Sequence, residues 1–173
     1  DLQAWEYVPL GSFLGKSFAT SISAWVLPLA ALADAEVPLP PQQPELLPYL
    51  QGGAGYAVDV EVEINGVVVS TCPYATMYYS PAAMLAHLTS NGASTRTGDL
   101  LGSGTISGPE PSQRGSLIEL TWNGTEPLRL AFGERGYLAD GDVVVLRASA
   151  PGPGGHRIRL GEVRGRVTPS RDG

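Results

Sequence analysis

One cysteine, Cys72, is all the chain has, so no intrachain disulfide can form. A disulfide-stapled framework is excluded, and a reducing, cytoplasmic setting is the expectation. Charge is scarce too. Asp, Glu, Lys and Arg make up 16% of the 173 residues, where globular proteins carry about 25%. Basic residues are the scarcer sign, with 11 Lys+Arg against 17 Asp+Glu and a formal net charge of -6. A nucleic-acid partner needs clustered cations to neutralise phosphates, so none is expected. No apolar run approaches the roughly 18 residues of a membrane span. The longest candidate, 24–33, is cut by Pro28 and followed by Asp34 and Glu36. The start lacks the basic and apolar regions of a signal peptide, so none is expected.

Glycine and proline are abundant, at 22 and 15 residues. Disorder accompanies few hydrophobic residues and high net charge, whereas 43% of this chain is apolar. The Gly and Pro therefore read as turns and tight loops of a mainly β fold. One domain is expected at roughly 150 residues per domain. A compact chain of this length buries about 70% of its unfolded surface and needs no staples.

Residues 1–27 are aromatic and Gly-rich without a helical period, and short strands and turns are expected there. Residues 38–48 form a proline-rich, extended loop. The clearest element lies at 56–71. Val58, Val60, Val62 and Ile64 alternate with Asp59, Glu61 and Glu63, the pattern of a half-buried strand. Asn65-Gly66 then supplies a hairpin turn with two positive φ angles. The three carboxylates share one face, which reads as a solvated strand face rather than a metal site. Residues 80–92 read as a helix, with Ser80 as N-cap, Pro81 in the first turn and Asn91-Gly92 at the end. Its buried stripe is expected to be Met84, Leu85 and Leu88, with His87 beside it as a structural histidine.

Residues 116–122 alternate again and are expected to form a strand, turned at Asn123-Gly124 into 128–132. Asn123-Gly124-Thr125 also matches a glycosylation acceptor, but the turn accounts for it. A strand pair hinged at Asp140-Gly141 is expected over 137–148, and a closing strand over 157–167.

Two stretches could carry chemistry. Gly11-Ser12-Phe13-Leu14-Gly15-Lys16-Ser17 is one residue short of a phosphate-binding P-loop, and residues 18–23 favour a strand over a helix, so nucleotide binding is set aside. Lys16, between Phe13 and Phe18, is either desolvated and aimed inward or simply exposed. Residues 102–110 carry three glycines and three hydroxyls. They form either a plain Gly-rich turn, the leading reading, or a loop whose N–H groups converge on an anion.

These stretches also carry a resemblance. Asp1-Leu2-Gln3-Ala4-Trp5-Glu6-Tyr7-Val8-Pro9-Leu10-Gly11, then Phe13-Leu14-Gly15-Lys16-Ser17-Phe18, Thr20 and Ile22-Ser23, resemble a block of the fumarylacetoacetase family. Arg96-Thr97-Gly98-Asp99-Leu100-Leu101 running into residues 102–110 resembles a second block. Residues 116–122 and His156-Arg157-Ile158 are similar to its closing strands. The likeness runs along nearly the whole chain and is weakest at about 33–73. Ser12, Ala19 and Ala24 depart from it, standing where the family usually has Pro, Gly and Pro.

The resemblance implies a mixed β-roll or sandwich of the family's C-terminal domain type with one or two short helices. It implies metal-dependent hydrolysis of a carbon–carbon bond in 4-fumarylacetoacetate, giving fumarate and acetoacetate at the end of tyrosine breakdown. Residues 1–173 would be the C-terminal catalytic part of a longer, homodimeric enzyme. Lys16 and Thr20 match positions at its divalent cation, Mg²⁺ or Ca²⁺. Gln3, Tyr7 and Thr105 match substrate-binding positions. Gln3 and Lys16 would donate to the oxygen that gains charge, and Glu119 matches the carboxylate orienting the catalytic histidine. That histidine is neither His87 nor His156 by the resemblance, so the chain alone is expected to have little activity. Two other expectations stand beside this one: another superfamily member (acylpyruvate hydrolase, isomerase or decarboxylase), or a catalytically silent β-rich module.

Overall fold

Two short helices stand where the first strands were expected. The computed structural model describes residues 2–17 and 19–170, and α1 (Leu2–Glu6) and α2 (Leu14–Ser17) open it. Asp1 and Phe18 lie outside the described residues. Residues 19–28 run without helix or strand. They pass along the last strand, where a Cβ on Gly161 would meet Ser23 at 3.3 Å and Trp25 at 3.6 Å.

β1 (Glu36–Val37) pairs antiparallel with β2 (Gly55–Tyr56), spanning the irregular proline-rich run. β3 (Asp59–Ile64) and β4 (Val67–Pro73) form the expected hairpin. Its turn has Asn65 at φ 49° and Gly66 at φ 83°, as a type I′ connection requires. Register shifts by one residue between Val62 and Glu63, a bulge that adds local twist.

α3 (Pro81–Thr89) starts as expected, with Ser80 Oγ accepting the N–H of Ala83 at 3.0 Å. The expected stripe is not its buried face. Ala83 is the buried residue, while Leu85 and Leu88 are 41% and 46% exposed. The helix rests on the 3-10 turn Pro48–Leu50.

The strand expected at 116–122 is instead a one-turn helix, α4 (Leu117–Leu120), capped by Ser116. Trp122, Asn123 and Gly124 all have positive φ and reverse the chain. β5 (Leu128–Leu130) then pairs tightly with β6 (Gly133–Arg135). Of the strand pair expected at 137–148, only the second arm exists, as β7 (Val143–Pro151). Residues 137–139 are irregular because they serve a turn in which Asp142 N–H reaches Ala139 O at 3.0 Å. β8 (Arg157–Arg166) closes the chain as expected.

The main sheet is antiparallel, in the order β4-β3-β7-β8. The mainly β architecture is therefore present, with α-helix confined to short segments among the described residues. One face packs Val58, Val60, Ala148 and Ala150 with Tyr56, Ala35 and Leu32 into the core. On the other, Glu61 lies opposite Arg147, and Arg147 opposite Glu162. The Arg147 guanidinium meets Glu63 at 2.6 Å, Glu162 at 2.9 Å and Glu61 at 3.4 Å, and Arg157 meets Asp59 at 2.9 Å. The carboxylates of β3 are thus ion-paired on a wet face, and no three metal-ligating side chains gather among the described residues.

Burial falls short of the compact-chain expectation. The accessible surface is 12256 Å², against about 8,100 Å² for a compact monomer of this mass. The excess comes from the N-terminal arm and long loops, which lie outside the sheet's core.

Candidate active site

Helices of five and four residues have no stability of their own, because nucleation costs more than one turn returns. α1 and α2 persist because each completes the other. Glu6, the last residue of α1, places its carboxylate at the start of α2. Its Oε2 accepts the N–H groups of Phe13 at 2.7 Å and Gly15 at 2.9 Å, and Oε1 accepts that of Leu14 at 2.9 Å. These first-turn donors have no partner within a helix. They favour the charged form, so the Gly15 and Phe13 N–H groups hold the Glu6 carboxyl below its ordinary value.

The two helices touch through glycines. A Cβ on Gly11 would collide with the Glu6 carbonyl, and one on Gly15 would stand 3.0 Å from the Gln3 nitrogen. Gln3 and Lys16, far apart in a linear reading, therefore share one folded unit. Of the two readings left open for Lys16, exposure is what the structure has, and its ammonium has no partner among the described residues. Gln3, Tyr7 and Thr20 are exposed as well.

The second group lies at the Gly-rich loop. Residues 102–110 lack regular structure, with Gly104 at φ 83°. Ser107 Oγ donates to both oxygens of Glu119 at 3.0 Å and accepts the Gly115 N–H at 3.1 Å. Ser116 Oγ donates to Glu119 Oε2 at 2.6 Å. Arg114 donates to the Glu119 carbonyl at 3.3 Å while its guanidinium lies over Trp122. A Cβ on Gly115 would collide with the Ile106 carbonyl and stand 3.0 Å from Thr105 Cγ2, so Thr105 lies beside this clamp. The half-buried Glu119 carboxylate is held from one side by two hydroxyls, and a carboxylate has acceptor sites to spare.

Gln3 and Lys16 thus share the α1–α2 unit, and Thr105 lies beside the Ser107–Gly115 contact that holds Glu119. No hydrogen bond or ion pair among the described residues joins the two groups. No histidine bonds to Glu119 among them either: His87 Nδ1 faces the Tyr49 hydroxyl at 3.2 Å, with the rings stacked. Lys16 and Thr20 do not by themselves fit a hard dication, because a protonated amine has no lone pair to give and one hydroxyl is a single ligand.

Reasoning from the sequence missed three residues. Ser116-Leu117-Ile118-Glu119 is the Ser-x-x-Glu signature of a helix start, and it could have revealed both the helix and the serine beside Glu119. Ser107 was visible only as one hydroxyl among several. Glu6 gave no local signal, because its partners lie seven to nine residues on.

The family profile described as "Fumarylacetoacetate (FAA) hydrolase C-terminal" matches residues 1–168. The chain belongs to the fumarylacetoacetate hydrolase family. It is 44% identical to the fumarylacetoacetase of Homo sapiens over 98% of its own length and 42% of that protein. The Arabidopsis thaliana fumarylacetoacetase is 43% identical, and that of Aspergillus fumigatus 45%, with the same coverage. The chain thus spans less than half the length of the fumarylacetoacetases it matches. Family membership rests on this match, while the roles of Gln3, Tyr7, Lys16, Thr20, Thr105 and Glu119 belong to the proposed function.

Proposed function

We propose that the chain is the C-terminal catalytic portion of an enzyme that hydrolyses 4-fumarylacetoacetate to fumarate and acetoacetate, the last step of tyrosine and phenylalanine catabolism. The observation that carries this is the 44% identity to a fumarylacetoacetase along 98% of the chain. In the reaction, water adds to one carbonyl, the carbon–carbon bond breaks, and its electron pair is held as an enolate until a proton arrives. Gln3 and Lys16 supply donors to the oxygen that gains charge, where fixed donors lower the barrier most. Tyr7 and Thr105 bind the substrate. Glu119, steadied by Ser107 and Ser116, orients a histidine that takes a proton from water. Metal dependence, with Mg²⁺ or Ca²⁺ near Lys16 and Thr20, belongs to the same proposal, as do a homodimeric assembly and a cytoplasmic location. No helix among the described residues is long and apolar enough to cross a membrane.

The test is steady-state kinetics on the full-length protein containing this chain. Fumarate and acetoacetate are expected in equal amounts; turnover of an acylpyruvate in place of fumarylacetoacetate overturns the substrate. In Lys16→Met, kcat is expected to fall by about 10²–10³, the cost of losing one such donor. KM should move less, because the interaction strengthens only as charge develops. A well-folded Lys16→Met protein with wild-type kcat removes Lys16 from the mechanism.

A further inference from the structure

The three hydrogen bonds on Glu6 do more than join two helices. They define the turn at 13–15 that immediately precedes Lys16, and no other hydrogen bond among the described residues holds that turn from outside, where Gly15 only packs against Gln3. The other bonds within it are local: Lys16 N–H to Phe13 O at 3.1 Å and Ser17 Oγ to Phe13 O at 3.1 Å. We infer that Glu6 is a positioning residue for Lys16: its carboxylate gathers the N–H groups of Phe13, Leu14 and Gly15 and so sets where the ammonium stands relative to Gln3. The inference rests on the proposed role of Lys16, and it concerns a residue that touches no substrate.

Geometry makes the carboxylate hard to replace. Three donors converge on two oxygens, one of which accepts twice. In Glu6→Gln one oxygen becomes an NH₂ group, so at least one backbone N–H meets a donor whichever way the amide turns. The side-chain volume is unchanged, which separates this variant from a packing defect. Glu6 is half-buried and lies outside the core cluster, so little core is disturbed.

The experiment compares wild type, Glu6→Gln, Lys16→Met and the double variant in the full-length enzyme. For Glu6→Gln alone, kcat is expected to fall about 10–100-fold, the usual cost of losing a group that orients a functional residue, with KM within about threefold. In the Lys16→Met background the same change should cost no more than about twofold in kcat, since no ammonium remains to be positioned. Costs that multiply in the double variant, or a wild-type kcat in Glu6→Gln, overturn the inference. A wild-type kcat in Lys16→Met overturns both the proposed role of Lys16 and the role of Glu6 that depends on it. A readout without substrate separates the two failures. With selective ¹⁵N labelling, the amide resonances of Phe13, Leu14 and Gly15 should shift together as Glu6 is protonated in acid, and Glu6→Gln should abolish that titration. If they do not, the clamp itself is absent from solution and Glu6 loses its role whatever Lys16 does.

Discussion

Among the described residues Glu119 receives two hydroxyls and no ion pair, an arrangement that fixes its plane. Ser107 is the more telling of the two, because it also accepts the Gly115 N–H and so couples the Gly-rich loop to α4. Ser107→Ala in the full-length enzyme should lower kcat about 10-fold or more by loosening Glu119, with the product-release assay as the measurement. Ser116→Ala should also lower the thermal midpoint, since it removes the N-cap of α4, a loss of about 1 kcal/mol. A Ser107→Ala enzyme with full activity and a lowered midpoint would show that the serine serves only the fold.

The elements of the main sheet are tied together at one end by Asp142. It is 2% exposed. Its Oδ2 accepts from Arg135 Nε at 2.8 Å and Ala139 N–H at 2.9 Å, and Oδ1 from Arg135 Nη2 at 3.0 Å and Asn65 Nδ2 at 2.7 Å. The β3–β4 turn, β6 and the start of β7 thus converge on one carboxylate. The Arg135 guanidinium, the largest cause, together with the Ala139 and Asn65 donors, holds that carboxyl well below the usual range against the opposing effect of burial. The unfolded chain therefore binds the proton more readily than the native one. The stabilisation is present above the ordinary carboxylate pKa of about 4 and is lost as pH falls below it toward the native value. Asp142→Asn should cost about 3 kcal/mol at neutral pH, because it leaves a partly buried guanidinium unpaired. It should also flatten the loss of stability between pH 5 and 3 relative to wild type, on the order of magnitude expected for one carboxylate. Urea unfolding across that pH range checks both. An acid slope identical to wild type would mean that Asp142 is not the group responsible.

At the scale of the molecule, apolar surface is the dominant feature. Among the described residues 23 large apolar side chains are exposed, ten of them between Trp5 and Leu29, including Trp5 at 88% and Val26 at 94%. Exposure on this scale marks surface that another surface covers. The 173-residue chain expressed alone should bind a hydrophobic dye and elute from a sizing column as species larger than its 18.1 kDa, with little or no turnover of fumarylacetoacetate. A dye-silent monomer would show that the arm folds back in solution, and turnover near that of a full-length enzyme would place a complete active site within these residues.

Short-range chemistry is what the sequence alone determined. The β3–β4 hairpin follows from alternation and Asn65-Gly66, and the start of α3 from Ser80 and Pro81, because these signals act within one turn or one strand. The two family blocks were legible for a similar reason, each being a contiguous run. Tertiary structure decided the rest. Residues 117–120 alternate well enough for a strand, yet Ser107 and Arg114 hold the Glu119 side chain and carbonyl in a helical turn. α1 and α2 exist only as a pair clasped by Glu6, and Asp142 draws on Asn65, 77 residues away. Periodicity describes which faces a segment could bury, but a partner must be present for one face to win. That is why Leu85 and Leu88 patterned as core but lie exposed, while Ala83 is the residue that α3 buries.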